Sequence, residues 1–145
     1  MMMKTLFRLA SLALLMTSPF ALADEDVTLK TIMQGLRDDL VAIADGLLID
    51  DFEQVARGAM RVAEHPKIPP AQVQLVVQEL GPEMPAFKQM DTLVHDLALE
   101  INAAAAARDR AAAIAGYKKM LDGCLVCHAA YKERVAAVLA DAAID

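Results

Sequence analysis

Two cysteines and a histidine lie together in the pentapeptide Cys124-Leu125-Val126-Cys127-His128. Cys-x-x-Cys-His is the spacing by which proteins attach a c-type haem. The two thiols can add to the two vinyl groups of one haem as thioethers, and the adjacent imidazole is then held beside the iron as its proximal ligand. We therefore expect Cys124 and Cys127 to carry one covalent haem c, with His128 as an axial ligand of the iron.

Two other uses of paired cysteines compete with this interpretation. A Cys-x-x-Cys pair can be the redox disulfide of a thiol oxidoreductase, but that motif normally lies near a strand–helix unit, and this chain has almost no strand pattern. A structural zinc site would need two more ligands from His65, His95 or carboxylates, and the sequence contains no second paired motif.

The first 23 residues have the pattern of a secretory signal peptide. Lys4 and Arg8 form a basic start, residues 9–16 are almost entirely apolar, and Ala21-Leu22-Ala23 offers a small-x-small cleavage site. An uncleaved anchor is the alternative, but the apolar run is short for a membrane span. We expect residues 1–23 to be removed and residues 24–145 to form one periplasmic domain, outside the membrane, where bacteria attach haem.

The charge of the chain excludes some classes of partner. The formal net charge is −6, and residues 1–23 contain two basic and no acidic residues, so residues 24–145 are more acidic still. Such a surface argues against binding to nucleic acid or to anionic lipid, since both are polyanions. It would suit a basic protein partner, or it serves solubility alone.

Apolar residues recur at helical spacing through most of residues 24–145. In the first predicted helix they alternate at intervals of three and four residues, which makes a one-sided stripe. Prolines at 66, 69 and 70 predict a connector, and residues 71–80 a short additional helix that ends at Gly81-Pro82. The stripes of the first, second and third long helices are Leu29, Met33, Leu36, Leu40, Ile43 and Leu47; Phe52, Val55, Ala59 and Val62; and Phe87, Met90, Val94, Leu97, Ile101 and Ala104.

The fourth long helix contains the cysteine–histidine motif. We expect Cys124 and His128 to share its inward face with Ile114, Tyr117, Leu121, Tyr131, Val135 and Val138. Four amphipathic helices joined mostly by short loops predict an all-α, antiparallel four-helix bundle. Bundles of this kind hold cofactors between facing helices, so we expect the haem in the core, near the C-terminal helix.

These features together resemble the class II c-type cytochromes, the cytochrome c′ family, over nearly all of residues 24–145. In such proteins the attachment motif lies in the last helix, so Cys124 and Cys127 match the thioether cysteines and His128 the proximal ligand. The resemblance also places Met33 over the distal side of the haem. Members with methionine there can be low-spin and six-coordinate, and this chain is most similar to that Met-ligated subgroup.

The sequence leaves the role of Met33 open between iron ligation and simple packing in the apolar stripe. Met60, Met90 and Met120 are alternative ligands, of which Met120 is badly placed because it lies on the same helix as the motif. The resemblance gives the haem a further environment of Leu36, Leu40, Tyr131 and Lys132. The chain departs from the family at Leu29 and Lys132, where many members have a basic residue and arginine, and it contains no tryptophan.

The function implied by the resemblance is electron transfer by a periplasmic mono-haem cytochrome that meets redox partner proteins. The alternative is a five-coordinate haem protein that binds NO or CO for scavenging or sensing, if Met33 does not ligate. No acid–base pair suited to peroxide chemistry is recognisable, so we do not expect an enzyme. Homodimers through the first two helices are common among the proteins that the chain resembles, although here their stripes already serve the internal core.

Overall fold

The computed structural model describes residues 27–141, and the residues of the expected signal peptide lie outside this range. The described residues form five α-helices and one short 3₁₀ turn and contain no strand. The all-α prediction is therefore confirmed. No helix within residues 27–141 is long and apolar enough to cross a membrane. The helices are α1 (Leu29–Ile49), α2 (Phe52–Ala63), α3 (Pro70–Leu80), α4 (Met84–Ala106) and α5 (Arg110–Asp141), with the 3₁₀ turn at Gly81–Glu83.

The ends of the helices follow local sequence signals. Thr28 caps α1 in a reciprocal capping box with Thr31, and the Asp51 side chain accepts a hydrogen bond from the Gln54 amide at the start of α2. The proline connector separates α2 from α3, and Pro70 occupies the first turn of α3, where its missing N–H costs nothing. Gly81 ends α3 with a positive φ of 48°.

The four long helices pack together as a bundle-like assembly, and α3 packs mainly against α5. Two glycines allow α1 and α2 to approach closely. A Cβ atom on Gly46 would lie 2.9 Å from Val55 Cγ2, and one on Gly58 would lie 2.8 Å from Ile43 Cγ1. The main core consists of nine buried residues from α1, α2, α4 and α5: Ile43, Val55, Ala59, Val62, Leu97, Ala98, Ile101, Ala105 and Met120.

A second apolar cluster lies where α3 packs against α5. Its buried members are Leu29, Val76, Leu80, Tyr131 and Val135, and Cys127 is partly buried against it. The Tyr131 and Phe87 rings meet edge to face, with their centroids 5.5 Å apart. The predicted additional helix is thus a structural element in its own right, because it supplies apolar residues that cover the C-terminal half of α5.

The inward face of α5 differs from the stripe predicted for it. Tyr131 and Val135 are buried as expected, but Ile114 and Leu121 are exposed. The inward places are taken by Ala113, Gly116 and Met120, which lie one position before Ile114, Tyr117 and Leu121, respectively. A Cβ atom on Gly116 would lie 2.8 Å from Ile101 Cγ1 of α4, so no side chain fits at this point of the contact without displacement.

Met120 contributes strongly to the core because its side chain is completely buried within it. We expect Met120→Ala to lower the free energy of unfolding by about 2–5 kcal/mol, since it removes apolar contacts and leaves a cavity. Leu48→Ala is the matched control, because Leu48 is 83% exposed, and it should change the value by less than about 0.5 kcal/mol. Urea denaturation of both variants measures the difference. Equal losses would contradict this assignment of the core.

Candidate functional site

The cysteine–histidine motif lies in the middle of the 32-residue helix α5. Cys124 and Cys127 are one turn apart, so their side chains are neighbours on one face of the helix. Both are free thiols and half-buried. His128 is exposed. The motif therefore borders the core without lying wholly inside it, which differs from the prediction that Cys124 and His128 both face inward.

Burial raises the pKa of the Cys124 thiol above its usual range. Burial is also the largest cause of the raised pKa of Cys127, to which Cys124 and Asp91 add by disfavouring a further negative charge. Burial and Cys124 raise the pKa of Tyr117 as well. The causes acting on the two cysteines include no basic group, and the raised pKa values favour the protonated thiols.

The neighbours of α5 define which side of the helix the motif borders. A Cβ atom on Gly123 would lie 3.5 Å from Val94 Cγ2 of α4, so the Gly123 edge faces α4. On the helical wheel Cys124 and His128 lie on the other side of the buried stripe, away from α4. That edge borders α1.

The side of the bundle between α1 and α5 is the open one. These two helices pack against each other much less than α1 does against α2, α2 against α4, or α4 against α5. Large apolar side chains on both helices remain exposed, and these are Met33, Val41, Leu48, Ile114, Leu121 and Leu125. A bundle of four long helices would ordinarily bury such residues between neighbours, so this side offers space for an apolar group.

Two contacts fix the level of α1 relative to α5. Leu29 belongs to the same buried cluster as Tyr131, and Asp50 forms an ion pair with Arg110 at the opposite end. Four residues along either helix correspond to about 6 Å of rise. Counting four residues from Leu29 reaches Met33, and counting four back from Tyr131 reaches Cys127. Met33 therefore lies level with the motif, and it is 38% exposed.

The other residues expected around the haem lie in different places. Leu40 and Leu36 are half-buried against the main core, and Leu36 also lines a cavity on the α2 side of α1. Tyr131 is buried in the second cluster, one turn after the motif. Lys132 is exposed on the surface of α5. Leu40, Tyr131 and Lys132 thus lie near the α1–α5 side. Leu36 instead contacts both the main core and the cavity on the α2 side.

The other methionines and histidines lie in different surroundings. Met120 is enclosed in the main core, Met60 is half-buried on α2, and Met90 packs against the second cluster, as Cys127 does. His65 Nε2 lies 3.9 Å from an oxygen of Asp91, and His95 contacts its neighbour Asp96. Across residues 27–141, no group of three or more histidine, cysteine and acidic side chains is arranged to hold a metal ion.

A separate cavity of about 350 Å³ lies between α1, α2 and the connector that follows α2. Its walls include Ile32, Leu36 and the Arg61–Asp39 ion pair, in which the two side chains are 2.5 Å apart. His65 also lines it. The motif does not reach this cavity, and no sequence signal indicated it, because its walls come from three separate segments.

Comparisons with protein-family models, with curated proteins and with solved structures found no match to this chain. The functional argument therefore depends on the motif and on its surroundings.

The raised thiol pKa values predict slow alkylation of the two cysteines in the folded chain without attached haem. Iodoacetamide reacts with the thiolate, so at pH 8 the folded chain should react several-fold more slowly than the same chain in urea. The difference should narrow as the pH rises through the pKa values of the folded thiols. Mass spectrometry of the alkylated protein gives the rates. A folded chain that reacts faster than the unfolded chain would contradict the assigned direction.

Proposed function

We propose that this protein is a periplasmic mono-haem cytochrome that transfers electrons, with haem c attached to Cys124 and Cys127. The observation that carries the proposal is the position of the complete Cys-x-x-Cys-His motif beside the open α1–α5 side, level with Met33. A haem held there would supply a one-electron couple between ferric and ferrous iron. We assign the chain no catalytic step.

The residues present fit covalent attachment of a haem. The two thiols are free and only partly covered. His65 and His95 make polar contacts with neighbouring groups, whereas none is found for the His128 ring within residues 27–141. The exposed apolar residues of α1 and α5 would contact a flat apolar ring on both sides. Free thiols suit thioether attachment, a histidine ring without a polar partner suits iron ligation, and exposed apolar residues suit contact with the haem ring.

The arrangement of the long helices also agrees with the proposed family. Successive contacts run in opposite directions along α1 and α2, since Gly46 meets Val55 while Asp39 pairs with Arg61. Helices α4 and α5 also run in opposite directions. Gly116 meets Ile101, whereas Gly123, later in α5, meets Val94, which is earlier in α4. These contacts support the antiparallel bundle that we propose. The proposal places the ring on the open side between two helices, because the main core is already filled.

We propose that Met33, together with His128, would ligate the iron of a haem held at this site. A thioether is a neutral ligand that favours the ferrous state and raises the reduction potential. A methionine in a helix can reach this position without a change in the backbone, since its side chain has three rotatable bonds. Its partial exposure on the open side leaves it free to turn toward the motif.

The raised pKa values of the two thiols argue against the competing role as a thiol oxidoreductase. Cysteines of such enzymes have lowered pKa values, which helix N-termini or nearby basic groups provide. Here burial and Asp91 act in the opposite direction, and the cysteines lie in the middle of α5, away from its N-terminus. Unactivated thiols suit an attachment site, where the thioether bonds form once and persist.

The first test replaces both cysteines. Cys124→Ser with Cys127→Ser should abolish covalent haem, because no thiol remains to form a thioether. The proteins are produced in a host with haem-attachment machinery, and the mass of the denatured protein is compared with that of the wild-type chain. Cys124→Ser alone is the graded control, since it should retain at most one bond. A wild-type protein that emerges from this host without added haem mass would refute the proposed function.

The second test concerns Met33. Met33→Ala should convert a low-spin protein into a high-spin protein that binds CO faster, because the iron loses its sixth ligand. Met60→Ala is the matched control, since Met60 is half-buried on α2, which packs little against α5, and it should leave the spin state unchanged. Absorption spectra of the ferric and dithionite-reduced proteins provide both readings. A wild-type protein that is already high-spin would assign the chain to NO or CO binding.

A further inference from the structure

We propose that the cavity between α1, α2 and the connector binds a free α-amino acid with an aliphatic side chain. This binding would be separate from the proposed electron transfer, because none of the residues that line the cavity belongs to the cysteine–histidine motif. Two features of the cavity support it: a glycine that packing does not require, and opposite charges on one wall.

Gly35 is the unusual residue of the cavity wall. It lies within α1, where glycine stabilises a helix less than alanine does, since it loses more conformational freedom on folding. Gly46 and Gly58 serve the close approach of α1 and α2, because a Cβ atom on either would lie 2.9 Å or less from a facing side chain. A Cβ atom on Gly35 would have no facing atom within 4 Å. The missing side chain of Gly35 therefore opens the cavity and does not serve a contact between helices.

The space over Gly35 exists because the opposing helix ends at this level. The two antiparallel helices face each other as far as Asp39, which pairs with Arg61. One turn further along α1, at Gly35, α2 has already ended, and the connector forms the far wall with His65 and Pro66. The resulting cavity of about 350 Å³ is within the size range of small-molecule sites. Its apolar lining is aliphatic and consists of Val27, Ile32, Leu36 and Pro66.

The charged groups on the α2 side of the cavity have opposite signs and are not paired with each other. Arg61 and Glu64 are three residues apart, so their side chains are neighbours on the helix surface. Asp39 holds the guanidinium through Arg61 Nε, which leaves the two Nη groups as donors. Among the residues that the structure describes, neither these Nη groups nor the Glu64 carboxylate makes a hydrogen bond or an ion pair.

An α-amino acid matches these groups because its ammonium and carboxylate are attached to one carbon atom. Its carboxylate can accept hydrogen bonds from both Nη groups of Arg61, while its ammonium can donate to Glu64. Glu64 is the C-cap of α2, and the partial negative charge of this helix end also favours a cation. A carboxylate alone would meet Asp39 and Glu64 without compensation, and an amine alone would meet Arg61. A zwitterion satisfies both signs.

The test measures the binding of L-leucine by isothermal titration calorimetry to the protein purified from a host with haem-attachment machinery. Two probes share the branched side chain of leucine: 4-methylpentanoate lacks the ammonium, and 3-methylbutylamine lacks the carboxylate. Each should bind about tenfold more weakly than L-leucine, because it loses a hydrogen bond between charged groups. No binding of L-leucine would overturn the proposal, and so would a probe that binds as tightly as L-leucine or more tightly.

Glu64→Gln tests the charged wall. It should weaken the binding of L-leucine about tenfold, because the ammonium loses its charged partner, and it should not weaken the binding of 4-methylpentanoate. Glu53→Gln is the matched control, since it makes the same change at the other end of α2, outside the cavity, and it should alter binding less than about twofold. Equal losses in the two variants would overturn the assigned role of Glu64.

Gly35→Leu tests the cavity itself. It should weaken the binding of L-leucine at least about tenfold by filling the space, and it should raise the melting temperature, because leucine favours a helix more than glycine does. Gln34→Leu adds the same side chain outside the cavity and should alter binding less than about twofold. Unimpaired binding by Gly35→Leu would overturn the proposal. A lowered melting temperature would overturn it as well, since packing would then require the glycine. The mass of each sample reports attached haem, so failure of the proposed function is recorded separately.

Discussion

The contact between α4 and α5 controls the rest of the structure, because it sets the rotation of α5 about its own axis. Gly116 faces Ile101 at a distance that no side chain larger than hydrogen permits without displacement, and Gly123 faces Val94 further along. Once these small residues face α4, the two cysteines lie at the border of the core and His128 falls on the edge beside α1. A rotation of α5 about its axis by about 100°, the angle between successive residues, would move His128 away from the edge beside α1.

The open side follows from this rotation together with the distribution of side-chain size. Small residues let α1 approach α2 and let α5 approach α4, so these pairs pack closely, while the edges that α1 and α5 turn toward each other have long apolar side chains. Close packing of the glycine-bearing edges thus leaves the α1–α5 side as the loosely packed side of the bundle.

Much of the fold was predictable from the sequence. The caps at Thr28 and Asp51, the proline connector and the end of α3 at Gly81 are local signals, and the structure agrees with each of them. The inward stripe of α5 was assigned one position too late in its N-terminal half, because periodicity favours large apolar residues such as Leu121. In the structure Gly116 and Met120 face inward instead, because α5 packs closely against α4. The pattern of one helix does not show where a second helix will approach it. For the same reason the sequence identified the motif but not its half-exposed position, nor the cavity beside the Arg61–Asp39 pair.

The open side is held at both of its ends. The Leu29 amide at the start of α1 donates a 2.7 Å hydrogen bond to Gln72 Oε1 of α3, and α3 in turn packs on α5. At the far end Asp50 pairs with Arg110 across the beginning of α5. The spacing of α1 and α5 therefore depends on contacts at the helix ends. A substitution of Gln72 or Arg110 would act on the width of this side from several helical turns away.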